Sequence, residues 1–331
     1  MADVAVLGSG GWGIALSIYA HSLKHNVKLW SFFEKEVEQL KHKRENKKLL
    51  KGISVPNDIE ITTDINCAVG ADMVIIAVPS FVVRKTAALL KGVKAKFIIN
   101  ASKGLEEGSF KRMSTVISEE LPNAVVITLS GPSHAEEVAR GIPTSLVAAH
   151  EDEKVCDKVI DAFCSDRLRI YSNTDILGVE FGGALKNIIA VASGFCDGMG
   201  LGDNSRAALI TRGLTEIARL GVCCGGNERT FAGLSGLGDL VVTCTSVHSR
   251  NHRFGMKVAQ GMPVEKALEE VGTVEGYHAT RQAYLLAEKM NVEIPITEYC
   301  YKVLFEGLPV KEALAALMSR PAKNETEALW L

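Results

Sequence analysis

Two features of this chain could do chemistry: an amine set among small residues, and a glycine loop set between a strand and a helix. The amine is Lys186, in the run Phe181-Gly182-Gly183-Ala184-Leu185-Lys186-Asn187. Gly182, Gly183 and Ala184 would leave space beside it for a cofactor and a substrate. A lysine snorkelling from a helix surface is the competing reading. The loop is Gly8-Ser9-Gly10-Gly11-Trp12-Gly13, a G-x-G-x-x-G pattern. That pattern is weak evidence alone, but here the apolar run Asp3–Leu7 precedes it and a helical pattern follows. In this setting the three glycines serve a tight turn, backbone approach to a pyrophosphate, and close helix–strand packing. Free N–H groups and the helix dipole then attract a diphosphate. Loop and lysine together indicate hydride transfer.

Gly8, Gly10, Gly11, Trp12 and Gly13 are therefore candidate cofactor-binding residues. Trp12 is read as a wall beside the pyrophosphate or nicotinamide, with a hydrophobic lid on the first helix as the alternative. The cofactor is NAD or NADP. NAD specificity often rests on an acid near the end of the second strand, bonded to a ribose hydroxyl. That region reads Trp30-Ser31-Phe32-Phe33-Glu34. Glu34 is a late candidate, and no neighbouring arginine offers to hold a 2′-phosphate, which favours NAD. Phe32 and Phe33 either pack on the adenine or enter the core.

The elements that must position these residues follow from periodicity. Nearly continuous apolar runs recur at 27–30, 73–78, Phe97–Asn100, 125–129 and 145–149, separated by helical stretches such as 80–91 and 109–120. Such strands, alternating with helices, predict an N-terminal Rossmann-like, mostly parallel sheet covered on both faces. From Thr174 the periodicity is helical, over 176–195, 205–221, 228–236, 250–260, 263–271, 277–290, 295–306 and 310–318. Only 240–243 looks strand-like there. The expected fold is α/β, with a dinucleotide-binding domain over 1–173 and an all-helical domain over 174–331.

The totals fit this division and exclude other classes. A length of 331 residues suits two domains. A formal charge of −2 provides no field for nucleic acid. The longest apolar stretches are read as strand-sized, well short of the roughly 20 residues of a membrane span. The start of the chain lacks a basic segment with a cleavage site, so a cytoplasmic protein is expected. The basic stretch 41–51 is read as a solvated helix and loop rather than a polyanion contact. The eight cysteines form no C-x-x-C pair and are read as free, mostly buried thiols. His134, His248 and His252 lack the ligand spacing of a zinc site, so no metal is expected.

Four longer segments carry a resemblance to a known family. They are Ser102-Lys103-Gly104, SGPSHAEEVARGIPTSL at 130–146, GVEFGGALKNIIAVASGFCDGMGLGDNSRAALITRGLTE at 178–216, and FAGLSGLGDLVVTCTS with SRN at 231–251. With them the chain resembles, from end to end, the bacterial-type NAD(P)-dependent glycerol-3-phosphate dehydrogenases. The resemblance implies interconversion of sn-glycerol 3-phosphate and dihydroxyacetone phosphate, and Lys186 as the acid/base lysine. A lysine whose pKa is lowered by desolvation can give and retake a proton near neutral pH. Lys103 would face both cofactor and substrate. Asn187, Asp239 and Thr243 would lie near the substrate and Lys186, with Asp239 orienting the amine or, alternatively, acting as a plain helix N-cap. Ser249, Arg250 and Asn251 would hold the substrate phosphate, with Arg250 also near the nicotinamide. Gly131 and Ser133 would serve the substrate, and Ala135, Thr273 and Glu275 the cofactor. The chain departs from many relatives at Gly11, where they carry serine or threonine, and at Phe32-Phe33, where they place arginine or histidine. The family further implies a phosphorylated small-molecule substrate, a homodimer through the helical domain, and a supply of glycerol phosphate for phospholipid synthesis.

Overall fold

The computed structural model of the chain describes residues 1–93, 95–322 and 324–325. It divides into two compact units: Met1–Ser102 with Met113–Ile176, and Lys103–Arg112 with Leu177–Leu331. Residues 326–331, the tail of the expected second domain, lie outside the described residues.

The first unit is built on eight strands: β1 (Asp3–Leu7), β2 (Asn26–Trp30), β3 (Glu60–Thr62), β4 (Met73–Ile76), β5 (Phe97–Asn100), β6 (Val125–Ser130), β7 (Thr144–Ala149) and β8 (Leu168–Asn173). Their order is β3-β2-β1-β4-β5-β6-β7-β8. Every pairing is parallel except β6 with β7. Alternate side chains feed two cores, one on each face of the sheet. Val4, Val6, Met73 and Ile75 join one core with α1 (Gly11–Ser22), α2 (Glu34–Lys43) and α6 (Glu153–Phe163). Ala5, Leu7, Val74 and Ile76 join the other with α3 (Val83–Leu89) and α4 (Met113–Glu120). The short helix α5 (Ala135–Ala139) follows β6. Double-sided burial is why the central strands read as unbroken apolar runs. The peripheral strands β3 and β8 left no such run: β3 has three residues, and β8 alternates buried Leu168 and Ile170 with exposed Arg169 and Tyr171.

The second unit is helical: α7 (Ile176–Gly198), α8 (Asp203–Cys223), α9 (Glu228–Phe231), α10 (Asp239–Thr245), α11 (Arg250–Ala259), α12 (Val264–Val271), α13 (Glu275–Met290), α14 (Pro295–Phe305) and α15 (Val310–Met318). A π-helical turn, Leu234–Gly238, leads into α10. The strand-like run 240–243 is part of α10. Leu240, Thr243 and Cys244 are buried at helical spacing, and the Thr243 and Thr245 hydroxyls donate to the carbonyls of Asp239 and Val241, four residues back.

Helix α7 corrects the expectation that no apolar stretch exceeds strand size. It has 23 residues, and an 18-residue window of mean hydropathy 1.4 is long and apolar enough to cross a membrane by length and composition. That window is 89% buried inside the protein, as suits a helix that is apolar all round.

The excursion Lys103–Arg112 sits within the helical unit. Leu105 and Arg112 form an antiparallel bridge, and Leu105 enters the helical core. The Arg112 Nη1 donates to Glu180 Oε2 of α7 at 2.9 Å, and Gly108 N to Gln282 Oε1 of α13 at 3.2 Å. All eight cysteines are free; Cys223 is exposed, Cys164 and Cys224 are partly buried, and the other five are buried.

Candidate functional site

The glycine loop of the first unit has the geometry a dinucleotide needs. Gly8 has φ +123°, and a Cβ there would lie 2.5 Å from the Ala77 carbonyl oxygen. A Cβ on Gly13 would lie 1.9 Å from the Gly8 carbonyl oxygen, so only glycine lets α1 start this close to β1. Gly10, by contrast, has nothing within 4 Å of its Cβ position and caps α1 without a side-chain bond. The N–H groups of the first helical turn are thus left for an anion, and the cradle fits a dinucleotide pyrophosphate. Gly11 lies beside Leu49 and Ala135, at ordinary contact distances of 3.7–3.8 Å. A serine Cβ would fit there without displacing the backbone, so the departure from relatives at this position is sterically neutral. Trp12 is half-buried and packs against the core of this face. Phe32 and Phe33 are 69% and 60% exposed and meet edge to face with ring centroids 5.4 Å apart, so they do not enter the core. Glu34 is exposed at the first turn of α2. After β6, Gly131 takes φ +119°, and the Ser133 hydroxyl donates to the Gly131 carbonyl at 3.0 Å.

In the helical unit Lys103, Lys186, Asp239 and Thr243 converge. Lys186 stands in the middle of α7 with its side chain 8% exposed. Its Nζ lies 2.8 Å from Asp239 Oδ1 and donates to Thr243 Oγ1 at 2.6 Å. Lys103 Nζ donates to the other oxygen of the same carboxylate, Oδ2, at 2.7 Å. Burial pulls the Lys186 pKa down to about 8; Asp239 opposes this and the Lys103 ammonium reinforces it. For Asp239 burial pushes upward, but the two ammoniums outweigh it and hold the carboxyl below its ordinary range. The π-helical turn delivers Asp239 to this position, a type of distortion frequent at functional sites. Its side chain grips lysines and caps no helix: the N-cap of α10 is Gly238.

The expected room beside Lys186 is partly filled. A Cβ on Gly182 would come within 2.9 Å of the Ser235 carbonyl oxygen, and Ala184 is fully buried. Gly182 therefore admits the backbone that leads to Asp239, and does not open space for a substrate.

Asn187, next to Lys186, accepts at Oδ1 from Asn251 Nδ2 at 2.8 Å. Asn251 Oδ1 in turn accepts from Gly276 N at 2.9 Å, joining α7, α11 and α13. Ser249 is the N-cap of α11, its hydroxyl oxygen accepting from His252 N at 3.2 Å. Arg250 is exposed at the first position of that helix. Thr273 and Glu275 are half-buried in the segment that ends at Gly276. Sequence reasoning missed Gly276, Glu180 and Arg112, which tie these parts together. A glutamate inside the apolar run of α7 was the available signal for Glu180, since a buried carboxylate demands a partner.

A glycine cradle for a diphosphate and a buried lysine with a lowered pKa define a dinucleotide-dependent dehydrogenase. The description "NAD-dependent glycerol-3-phosphate dehydrogenase N-terminus" matches residues 3–156, and the corresponding C-terminus matches 175–315. A glycerol-3-phosphate dehydrogenase [NAD(P)+] of Clostridium perfringens is 50% identical over 329 residues, covering 98% of this chain and 99% of that protein. One from Desulfitobacterium hafniense is 46% identical over 334 residues, covering 100% and 95%. The crystal structure of glycerol-3-phosphate dehydrogenase from Coxiella burnetii superposes with a TM-score of 0.92 at 36% identity, covering 96% of this chain and 99% of that one. The chain belongs to the NAD-dependent glycerol-3-phosphate dehydrogenase family.

Proposed function

We propose that this chain interconverts dihydroxyacetone phosphate and sn-glycerol 3-phosphate, with Lys186 as proton donor and acceptor. The observation that carries the reading is the buried carboxylate of Asp239 held between two ammoniums, one of which has its pKa brought down to about 8. Bound NAD(P)H supplies the hydride. Lys186 Nζ gives its proton to the ketone oxygen as negative charge grows there, and takes it back in the reverse direction. Asp239 and Thr243 fix the direction of the amine, so no reorientation is needed during transfer. Lys103 keeps a second positive charge beside the developing alkoxide and resists full stabilisation of the Lys186 cation.

Arg250, exposed at the start of α11, offers a two-pronged donor to a phosphate monoester. Asn251 has its amide committed to Asn187 and Gly276, so in this reading it positions Arg250 and Asn187, while Ser249 secures the helix start. Gly131 and Ser133 belong to the substrate. Gly8, Gly10, Gly11, Trp12, Gly13, Phe32, Phe33, Ala135, Thr273 and Glu275 belong to the cofactor. A homodimer formed through the helical unit, a cytoplasmic location and a supply of glycerol phosphate for phospholipid synthesis complete the reading.

The test is oxidation of NADH or NADPH by the intact protein with dihydroxyacetone phosphate. Lys186→Ala should lower kcat by at least about 100-fold, the scale of a lost acid/base group, with circular dichroism unchanged. No turnover by the wild type above background ends the reading. Near-normal turnover by the variant removes Lys186 from it.

A further inference from the structure

The first unit contains a buried hydroxyl relay that the glycine loop and the second strand share. Ser9 lies within the loop, and Ser31 is the first residue after β2; they are 5% and 2% exposed. Ser9 Oγ lies 2.7 Å from Ser31 Oγ, and both hydroxyls reach one oxygen, Glu36 Oε2, at 2.5 and 2.8 Å. Glu36 sits in the first turn of α2, a turn beyond the exposed Phe32-Phe33 pair. Its Oε1 accepts no bond among the described residues.

We infer that Glu36 is the residue that reads the adenosine ribose and selects NAD(H) over NADP(H), by presenting a carboxylate held in place through Ser31 and Ser9. The inference rests on the dinucleotide-dependent reading above and names the cofactor of that same site. In parallel sheets that bind dinucleotides, an acid about 20 residues beyond the loop receives the ribose 2′-hydroxyl. Glu34 satisfies that spacing too, but only Glu36 is tied to the loop itself. The Ser31 hydroxyl donates to Oε2, and Ser9 Oγ lies within hydrogen-bond distance of both, so the carboxylate is fixed where β2 ends. The free Oε1 can accept from a ribose hydroxyl. A 2′-phosphate in the same place would set a dianion against a carboxylate in a segment, 31–36, that has no arginine and in which Glu34 offsets the one cation, Lys35. The competing account is a purely local one, in which Glu36 at the third helical position reaches back to secure the start of α2. That account has no consequence for which dinucleotide binds.

The two accounts part in a binding experiment without substrate. NADH and NADPH are titrated into the full chain by nucleotide fluorescence, for the wild type and for Glu36→Gln, which keeps an oxygen acceptor and removes the charge. The wild type should bind NADH at least about tenfold more tightly than NADPH, the scale of one like-charge contact at a wet surface. Glu36→Gln should shrink that ratio to below about threefold, mainly by tightening NADPH. A wild-type ratio near one, or a ratio unchanged in Glu36→Gln, overturns the inference and leaves the helix-securing account. Binding of neither nucleotide would instead sink the dinucleotide reading itself. Should Glu36→Gln not fold, competition on the wild type decides. ADP-ribose must displace NADH at a concentration at least about tenfold lower than 2′-phospho-ADP-ribose; equal displacement overturns the inference.

Discussion

Lys186 is a contest between solvent exclusion and one shared carboxylate. Burial alone would make a lysine a poor cation, and Asp239 restores part of what burial removes. Because Asp239 also holds Lys103, it cannot give its full field to Lys186. A pH dependence with a definite sign follows. In the mechanism we propose, ketone reduction uses the protonated amine, so kcat/KM in that direction should be level below about 8 and fall as pH rises through about 8. Alcohol oxidation should show the mirror image. Lys103→Met removes a like charge and frees Asp239 for Lys186, so the inflection must move to higher pH, whatever happens to the absolute rate. An inflection that stays put or moves to lower pH would show that Lys103 does not tune the amine. The same lowered pKa reverses the usual stability linkage of a lysine. The unfolded chain holds this proton more tightly, so the site's contribution to stability rises with pH between about 8 and 10.5. Lys103, Lys186, Asp239 and Thr243 were all named from the motifs that carry the family resemblance, with Asp239 set beside Lys186. That Lys103 shares the same carboxylate was not legible, because no spacing in the chain tells which partner a second ammonium finds.

Helices and strands show where local pattern sufficed and where packing decided. The central strands were legible because burial on both faces leaves unbroken apolar runs, and α11 through α15 were legible by their apolar spacing. The run 240–243 misled because its β-branched residues favour strands in general, whereas their burial spacing and back-bonded hydroxyls suit a helix here. Less legible still is how α14 begins. Its N-cap position, Ile294, supplies no side-chain acceptor. The acceptor comes from α8, where buried Glu216 takes the N–H groups of Ile296 and Thr297 at 2.6 and 3.1 Å. Burial pushes the Glu216 carboxyl up to about 7, although those N–H groups and Arg219 pull it down. For an acid whose folded pKa is raised, the folded state keeps the proton more tightly between the two pKa values. Stability should therefore decline as pH climbs from about 4.5 to about 7, with a full span of about 3 kcal/mol. Glu216→Gln lacks this titration. In urea melts at pH 4.5 and pH 8, the wild type should lose about 3 kcal/mol more than the variant between the two conditions. Equal losses would show that the Glu216 proton is not linked to folding.

The route of the chain through the molecule adds a constraint that no single element reveals. The helical unit includes Lys103–Arg112, ten residues that leave β5 and return to α4. The helical pattern of 109–120 takes in residues 109–112, although the helix begins only at Met113, and 103–108 have no apolar periodicity, so nothing in the pattern assigns the segment to the helical unit. Its importance lies in what it neutralises. Arg112 faces Glu180, whose side chain is 4% exposed, and Lys103 faces Asp239, at 2%. A fragment beginning at Leu177 would leave Glu180 without its guanidinium and Asp239 with one ammonium instead of two. Stripping one partner from a buried pair costs about 3–5 kcal/mol, a large share of the roughly 5–15 kcal/mol that holds a domain together. The fragment 177–331 should therefore melt at clearly lower urea than the same fragment carrying residues 103–112 on a flexible linker ahead of Leu177. The Arg112→Met change within the longer fragment should remove only the part of that gain owed to Glu180, because Leu105 and Lys103 remain while the charge opposite Glu180 is gone. Equal urea midpoints for the two fragments would mean that the buried carboxylates of α7 and α10 find other compensation, and that the excursion carries Lys103 without supporting the fold.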